Sequence, residues 1–138
     1  MDILLDSNII LDWLQQREPF YQNAHKIVEN CMFGDLRGFV TAHSLCDMYY
    51  ILRKDYSVQQ RLKFIRLLSE RCNVIAEDVY DFIAVTDNPA AKDLEDALQM
   101  RCADKNNLDY IITRNIKDFE DSAVPAIMPD DFISKFGL

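Results

Sequence analysis

Residues 3–12 read ILLDSNIILD, and this stretch decides the fold class. Its first three residues form a short apolar run, which is typical of a strand buried on both faces of a sheet. Asp6, Ser7 and Asn8 then break the run, and these residue types cap helices. A helical pattern of apolar residues follows from Ile9. The stretch therefore predicts a buried strand that leads directly into a helix, with an acid at the junction.

The alternation of short apolar strands and amphipathic helices continues along the chain. It predicts an α/β fold, a three-layer α/β/α sandwich with a short, mostly parallel central sheet. The 138 residues are expected to form one domain, spanning residues 1–138. Further strands are predicted at 38–41, 73–76, 110–113 and 126–128, and further helices at 19–34, 42–54, 58–68, 78–85, 93–103 and 129–136.

Composition narrows the classes of function. The formal net charge is −8, which argues against a protein that grips nucleic acid through a basic surface. Part of the acid excess could instead be concentrated in a site that cations occupy. The four cysteines show no Cys-x-x-Cys spacing, so a zinc site is not expected. The first residues lack a basic secretory leader and no stretch could span a bilayer, so the expected location is the cytoplasm, away from membranes.

Several acids are predicted to lie at one edge of the sheet. Asp6 directly follows the first strand, and Asn115 and Asp118 follow the strand at 110–113. Asp47 and Asp96 lie on helices that start at the same edge. Ligands of parallel sheets bind outside the carboxyl ends of the strands, and oxygen ligands suit Mg²⁺ or Mn²⁺. Convergence of these side chains would therefore predict a divalent-cation site.

Each acid also has a purely structural explanation. Asp6 could simply cap the first helix, and Asp96 could belong to a capping box. Asp47 could lie on a solvated face, and Asp118 could be a turn residue. Carboxylates about 5 Å apart repel by roughly 3 kcal/mol, so a fold that gathers several must protonate some or bind a cation. Glu95, Glu120 and Asp121 are interpreted as ordinary solvated charge.

Four stretches together resemble the PIN-domain family, the small nuclease domain found in many toxin–antitoxin toxins. They occur in the family's order, span the chain, and are specific only as a set. The stretches are residues 3–12, residues 41–54 around YYILRK, residues 93–99 (DLEDALQ) and residues 111–119 (IITRNIKDF).

The resemblance implies an acidic pocket at the strand ends. Asp6 and Asp96 match the family's first and third acids, which bind the metal directly or through water. Asp47 stands where the family usually has a glutamate, and its shorter side chain could reach a metal through water. Asn115 stands where many relatives have the fourth acid, and Asp118 could supply the missing charge.

Other residues take supporting roles in this interpretation. Ser7, Asn8 and Thr113 are expected to orient Asp6 and its waters. Candidates for contacts with the RNA backbone, each of which could equally be solvated charge, are Arg53, Lys54 and Arg114.

The implied function is hydrolysis of RNA phosphodiester bonds by a Mg²⁺- or Mn²⁺-dependent ribonuclease, as in the toxin of a toxin–antitoxin pair. A small antitoxin with a basic tail is the implied partner, and a homodimer is expected. The alternative is a catalytically weak or inactive PIN-like module that serves as a scaffold or binding partner. A phospho-accepting receiver domain fits poorly, because no lysine follows the final strand.

Overall fold

The computed structural model describes the whole chain, from Met1 to Leu138, and confirms the predicted α/β fold. The strands are β1 (Asp2–Leu5), β2 (Arg37–Thr41), β3 (Asn73–Ile75), β4 (Tyr110–Ile112) and β5 (Ala126–Ile127). The helices are α1 (Ser7–Leu14), α2 (Tyr21–Phe33), α3 (Ala42–Ile51), α4 (Val58–Arg71), α5 (Val79–Thr86), α6 (Leu94–Lys105) and α7 (Pro129–Phe136).

The five strands form one sheet in the order β3-β2-β1-β4-β5, and every neighbouring pair is parallel. Leu4 of β1 lies opposite Phe39 of β2 on one side and Ile111 of β4 on the other. Since all strands run the same way, all their carboxyl ends lie at a single edge of the sheet. β1 holds the central position at that edge.

Helices cover both faces of the sheet, which gives the predicted three layers. Successive strand residues point to opposite faces. In β1, Ile3 and Leu5 therefore pack with residues of α1–α4 and α7, whereas Leu4 packs with residues of α6 and the segments that flank β4. Because both faces are buried, β1 reads as a continuous apolar run rather than an alternating one.

The helix predicted over residues 42–54 is shorter than expected. Its α-helical part ends at Ile51, and Leu52–Lys54 form a 3-10 turn. Tighter turns of this kind are common at helix C-termini, where carbonyl groups lack partners further along the helix. No helix of the structure is both long and apolar enough to cross a membrane.

Candidate active site

Asp6 lies directly after β1 and caps the N-terminus of α1. Its Oδ1 accepts hydrogen bonds from the Ser7 amide at 2.7 Å and from Gln99 Nε2 at 3.1 Å. Its Oδ2 accepts from Thr113 Oγ1 at 2.8 Å and from Asn8 Nδ2 at 3.2 Å. Only 8% of the residue is exposed, so these four donors hold the carboxylate in one orientation.

Both amide side chains that contact Asp6 keep an unpaired oxygen. Asn8 Oδ1 and Gln99 Oε1 are buried and accept no hydrogen bond. An ionised carboxylate only accepts, so each amide must turn its NH₂ group towards Asp6 and its oxygen away. Buried acceptors normally find a donor or an ordered water. The surroundings of Asp6 therefore have acceptor capacity left for a water or a cation.

Asp96 lies in the first turn of α6, whose N-cap Asp93 accepts a hydrogen bond from the Asp96 amide at 2.9 Å. Burial, followed by the charges of Asp93, Asp6 and Asp118, raises the pKa of Asp96 to about 6, against an opposing effect of His43. The fold thus brings acids distant in sequence close enough to repel one another.

A cleft of about 270 Å³ opens beside Asp96. Its walls are mainly charged, and two lysines lie among the acids. The charged side chains that line it are Lys92, Asp93, Asp96, Lys117, Asp118, Glu120 and Asp121. The cleft therefore combines carboxylates with cations that could contact an anionic backbone.

Asp47 lies on α3, next to Glu95 of α6. A hydrogen bond with Asp47, and secondarily burial, raises the pKa of Glu95 to about 6. Two carboxyl groups this close share a proton readily or need a cation between them. This pair was not predicted from the sequence, because Glu95 was expected to be ordinary solvated charge. Its position next to Asp96 on the same helix could have indicated that Glu95 lies near the site.

Asn115 and Asp118 follow β4, as predicted, and both are exposed. The backbone N–H of Asn115 donates a hydrogen bond to Thr113 Oγ1 at 3.0 Å, and Thr113 Oγ1 in turn donates to Asp6. Asp118 lies in a 3-10 turn, Ile116–Phe119, and its negative charge contributes to the raised pKa of Asp96. The segment after β4 is therefore linked to Asp6 through Thr113 and to Asp96 through Asp118.

The family model described as "PIN domain" matches residues 2–117, which is most of the chain. The chain belongs to the PIN-domain family. The match includes the segments that carry Asp6, Asp47, Asp96 and Asn115.

Solved structures support the same fold for this PIN domain. A toxin–antitoxin complex from Klebsiella pneumoniae is 22% identical, with a TM-score of 0.69 over 92% of this chain and 97% of that chain. VapBC2 from Rickettsia felis, bound to a DNA fragment from its promoter, is 17% identical, with a TM-score of 0.65 over 93% and 98%. VapBC-1 from nontypeable Haemophilus influenzae is 18% identical, with a TM-score of 0.65 over 94% and 99%. The comparison with curated proteins found no match to this chain.

The cations predicted to contact RNA do not line the cleft of the PIN domain. Arg114 binds the buried Asp12 carboxylate through Nε at 2.7 Å and Nη2 at 3.1 Å. Arg53 stacks on the Tyr50 ring at 3.7 Å, and Lys54 is exposed in the 3-10 turn after α3. The lysines that do line the cleft, Lys92 and Lys117, were not identified from the sequence.

The donor chemistry of this site fits a hard divalent cation. Every acid offers carboxylate oxygens, and two buried amide oxygens beside Asp6 have no donor. No three His, Cys, Asp or Glu side chains already stand in position to hold a metal. Exposed carboxylates such as that of Asp118 would therefore have to turn inwards to join Asp6 and Asp96.

Proposed function

We propose that this PIN domain is a metal-dependent endoribonuclease that uses Mg²⁺ or Mn²⁺ to hydrolyse RNA phosphodiester bonds. PIN domains are generally nucleases and generally use divalent metal ions, which supports the proposal. The observation that carries it is Asp96, whose pKa is raised to about 6 by burial and by the charges of Asp93, Asp6 and Asp118. No Lys or Arg forms an ion pair with Asp96.

In the proposed site, Asp6 and Asp96 would hold the cation directly or through water, and Asp47, Asp118 and Asn115 would complete its surroundings. A bound divalent cation would acidify a water molecule and offset the negative charge that develops on the phosphate.

The side chains around this set have separate roles. Ser7, Asn8 and Thr113 fix the orientation of the Asp6 carboxylate through the hydrogen bonds described above. Lys92 and Lys117 contact the RNA backbone at the wall of the cleft.

The test is cleavage of single-stranded RNA, with DNA of the same sequence alongside, in the presence of Mn²⁺ or Mg²⁺. The variants D6N and D96N are expected to lose about 10³-fold or more in rate, the scale on which a single electrostatic group acts. D104N is the matched control, since Asp104 is an exposed acid on the same helix. Cleavage that both D6N and D96N retain would exclude the proposed roles, provided that thermal melting shows both variants folded.

A second candidate function is a binding or scaffold module without catalysis. It is favoured by Asp6, whose two oxygens already accept four hydrogen bonds, and by the neutral Asn115 in place of an acid. Absence of cleavage by the wild type, with RNA binding retained, would establish this function instead.

We further propose that the PIN domain is the toxin of a pair and that it binds a small antitoxin with a basic tail. The net charge of −8 and the acidic cleft are complementary to such a tail. A structural neighbour described as a toxin–antitoxin complex supports this partner class. The expected result is that a Lys/Arg-rich peptide inhibits cleavage at low salt, whereas an acidic peptide of equal length does not. We also propose that the protein is a homodimer and that it is located in the cytoplasm. Sedimentation of the purified protein tests the homodimer.

A further inference from the structure

Two strands of the sheet end in a histidine–glutamate pair outside the proposed set of metal ligands. His43 follows β2 by two residues, and Glu77 follows β3 by two residues. Because the register pairs Thr41 with Ile75, both side chains leave the sheet at the same level. His43 Nδ1 contacts Glu77 Oε1, and the Glu77 side chain is only 6% exposed. The pair is therefore built into the fold.

The strand order places this pair beside Asp6. Along the carboxyl edge, from β3 to β4, the residues that follow the strands are Glu77, His43, Asp6 and Thr113. The nearly buried Glu77 holds Nδ1 of the imidazole, while Nε2 makes no hydrogen bond to the protein. The His43 side chain is 20% exposed, so Nε2 is available to a bound molecule.

Acids from three elements lie around His43, and Lys105 of α6 lies behind Glu77, where its Nζ donates a hydrogen bond to the Ala76 carbonyl at 3.5 Å. Glu77 lies after β3, Asp47 lies one turn further along α3, and Glu95 with Asp96 lie at the start of α6. The charge of His43 opposes the rise in the pKa of both Glu95 and Asp96, so the imidazole lies within electrostatic reach of the cleft. An imidazole whose Nδ1 is held by a carboxylate can supply a proton through Nε2 to a molecule bound in the cleft.

We propose that His43, oriented by Glu77, donates the proton to the leaving oxygen during phosphodiester hydrolysis; this inference rests on the nuclease function proposed above. A water oxygen bonds to phosphorus while the bond from phosphorus to the leaving oxygen breaks. The electron pair of that bond goes to the leaving oxygen, which takes the proton from His43 Nε2. A carboxylate of the cleft accepts a proton of the attacking water, and exchange with solvent restores both groups. His43 is thus a catalytic residue and Glu77 a positioning residue.

The experiment compares two RNA substrates, one all-oxygen and one with sulfur in place of the leaving oxygen at the cut site. A thiolate leaves without a proton, so it does not need the histidine. H43Q is expected to cleave the all-oxygen substrate about 100-fold more slowly than the wild type, the usual scale of general acid catalysis. On the sulfur substrate, most of the difference between H43Q and the wild type should disappear.

Two further variants separate the outcomes. E77Q keeps an acceptor for Nδ1 but loses the charge, so it should show a smaller defect that the sulfur substrate also repairs. This variant decides the question if H43Q does not fold. H25Q is the matched control, because the chain has two histidines and His25 pairs with Glu29 of its own helix, α2, rather than with an acid that follows a strand. H25Q should match the wild type on both substrates.

The proposed function and this inference fail in different ways. If the wild type cleaves and D6N does not, the nuclease function stands. A defect in folded H43Q of equal size on both substrates, or no defect at all, then overturns the role of His43 alone. A wild type that cleaves neither substrate overturns both.

Discussion

The two halves of α6 place acids in opposite electrostatic surroundings. The C-terminal half carries Arg101 and Lys105, which bind the buried Asp81 carboxylate at 3.0 and 2.6 Å. Burial alone would raise the pKa of Asp81, but hydrogen bonds from Lys105, the Asp78 amide and Arg101 hold it well below its usual range. This acid is fully compensated and joins α5 to α6.

The N-terminal half carries Asp93, Glu95 and Asp96, and none of them forms an ion pair with Lys or Arg. Instead they face Asp6 and Asp47, and the pKa of Glu95 and of Asp96 rises to about 6. Acids at a helix N-terminus and bases at its C-terminus both suit the helix dipole. The dipole therefore does not explain why only one end lacks basic partners, whereas the proposed role in binding a cation would explain it.

The largest effect on stability is expected at the C-terminal end of α6, where Arg101 and Lys105 pair with Asp81. D81A should lower the free energy of unfolding by about 3 kcal/mol, because Arg101, Lys105 and the Asp78 amide lose their acceptor. Urea unfolding at pH 7 measures the change, and D104A, which removes an exposed acid from the same helix, should change stability by less than about 0.5 kcal/mol. Equal effects of D81A and D104A would contradict the contrast between the two ends.

The pH dependence of that difference has a fixed sign. A carboxyl whose pKa is lowered by folding contributes stability above its unfolded pKa and loses the contribution as pH falls. The gap between the wild type and D81A should therefore be complete at pH 7 and shrink below about pH 4. A gap that grows in acid would show that Asp81 is not the paired, charged group described here.

The next largest effect on stability is expected when a cation binds at the N-terminal end of α6, beside Asp96. Mn²⁺ at a hundredfold excess over its Kd should stabilise the wild type by about 2.7 kcal/mol, since binding to the native state alone favours that state. Thermal melting with and without Mn²⁺, after treatment with a chelator, measures the shift. D96N should lose most of the shift, whereas D81A should keep it despite its lower starting Tm. A Mn²⁺ shift that D96N retains in full would remove Asp96 from the cation site.

Predictions from the sequence succeeded where position along the chain was sufficient. Asp6 ends an apolar run that could only be a buried strand, so its place at the sheet edge followed from the pattern. Asp96 had to lie in the first turn of a helix, because Asp93 is a good N-cap. Thr113 directly follows β4, and since parallel strands end at one edge of the sheet, its place at the same edge as Asp6 could also be predicted.

The contacts that sequence reasoning missed depend on strand order and side-chain direction. Glu77 and His43 meet because β3 lies next to β2, and no periodicity along the chain shows which strands are neighbours. Arg114 was a candidate for RNA contact, but it binds Asp12, a residue 102 positions away that is fully buried. The place of Gln99 in the site could have been predicted, because it lies one helical turn after Asp96 and therefore lies on the same face of α6.

Loss of an acid should change the free energy of unfolding in opposite directions at the two ends of α6. Removal of Asp81 lowers it, whereas removal of Asp96 should raise it. In a chelator-containing buffer at pH 7.5, D96N should stabilise the protein by about 1 kcal/mol, a value reduced for solvent screening. A carboxyl whose pKa is raised by folding opposes folding increasingly as pH rises from about 4 to 6. The gain should therefore vanish at pH 4. Urea unfolding at both pH values measures it, and a D96N variant less stable than the wild type at pH 7.5 would show that Asp96 is structural.

The smallest expected effect concerns the two lysines of the cleft, which distinguish a site that binds a polyanion from one that binds only a cation. K117Q should raise the KM for RNA a few-fold and leave kcat unchanged, because a lysine that contacts phosphate holds substrate and transition state equally. The slope of log KM against log salt should also fall by about one. K63Q, which removes an exposed lysine of α4, should change neither quantity. If K117Q and K63Q behave alike, RNA does not pass over the cleft beside Asp96, and the acids at the N-terminal end of α6 need a different ligand.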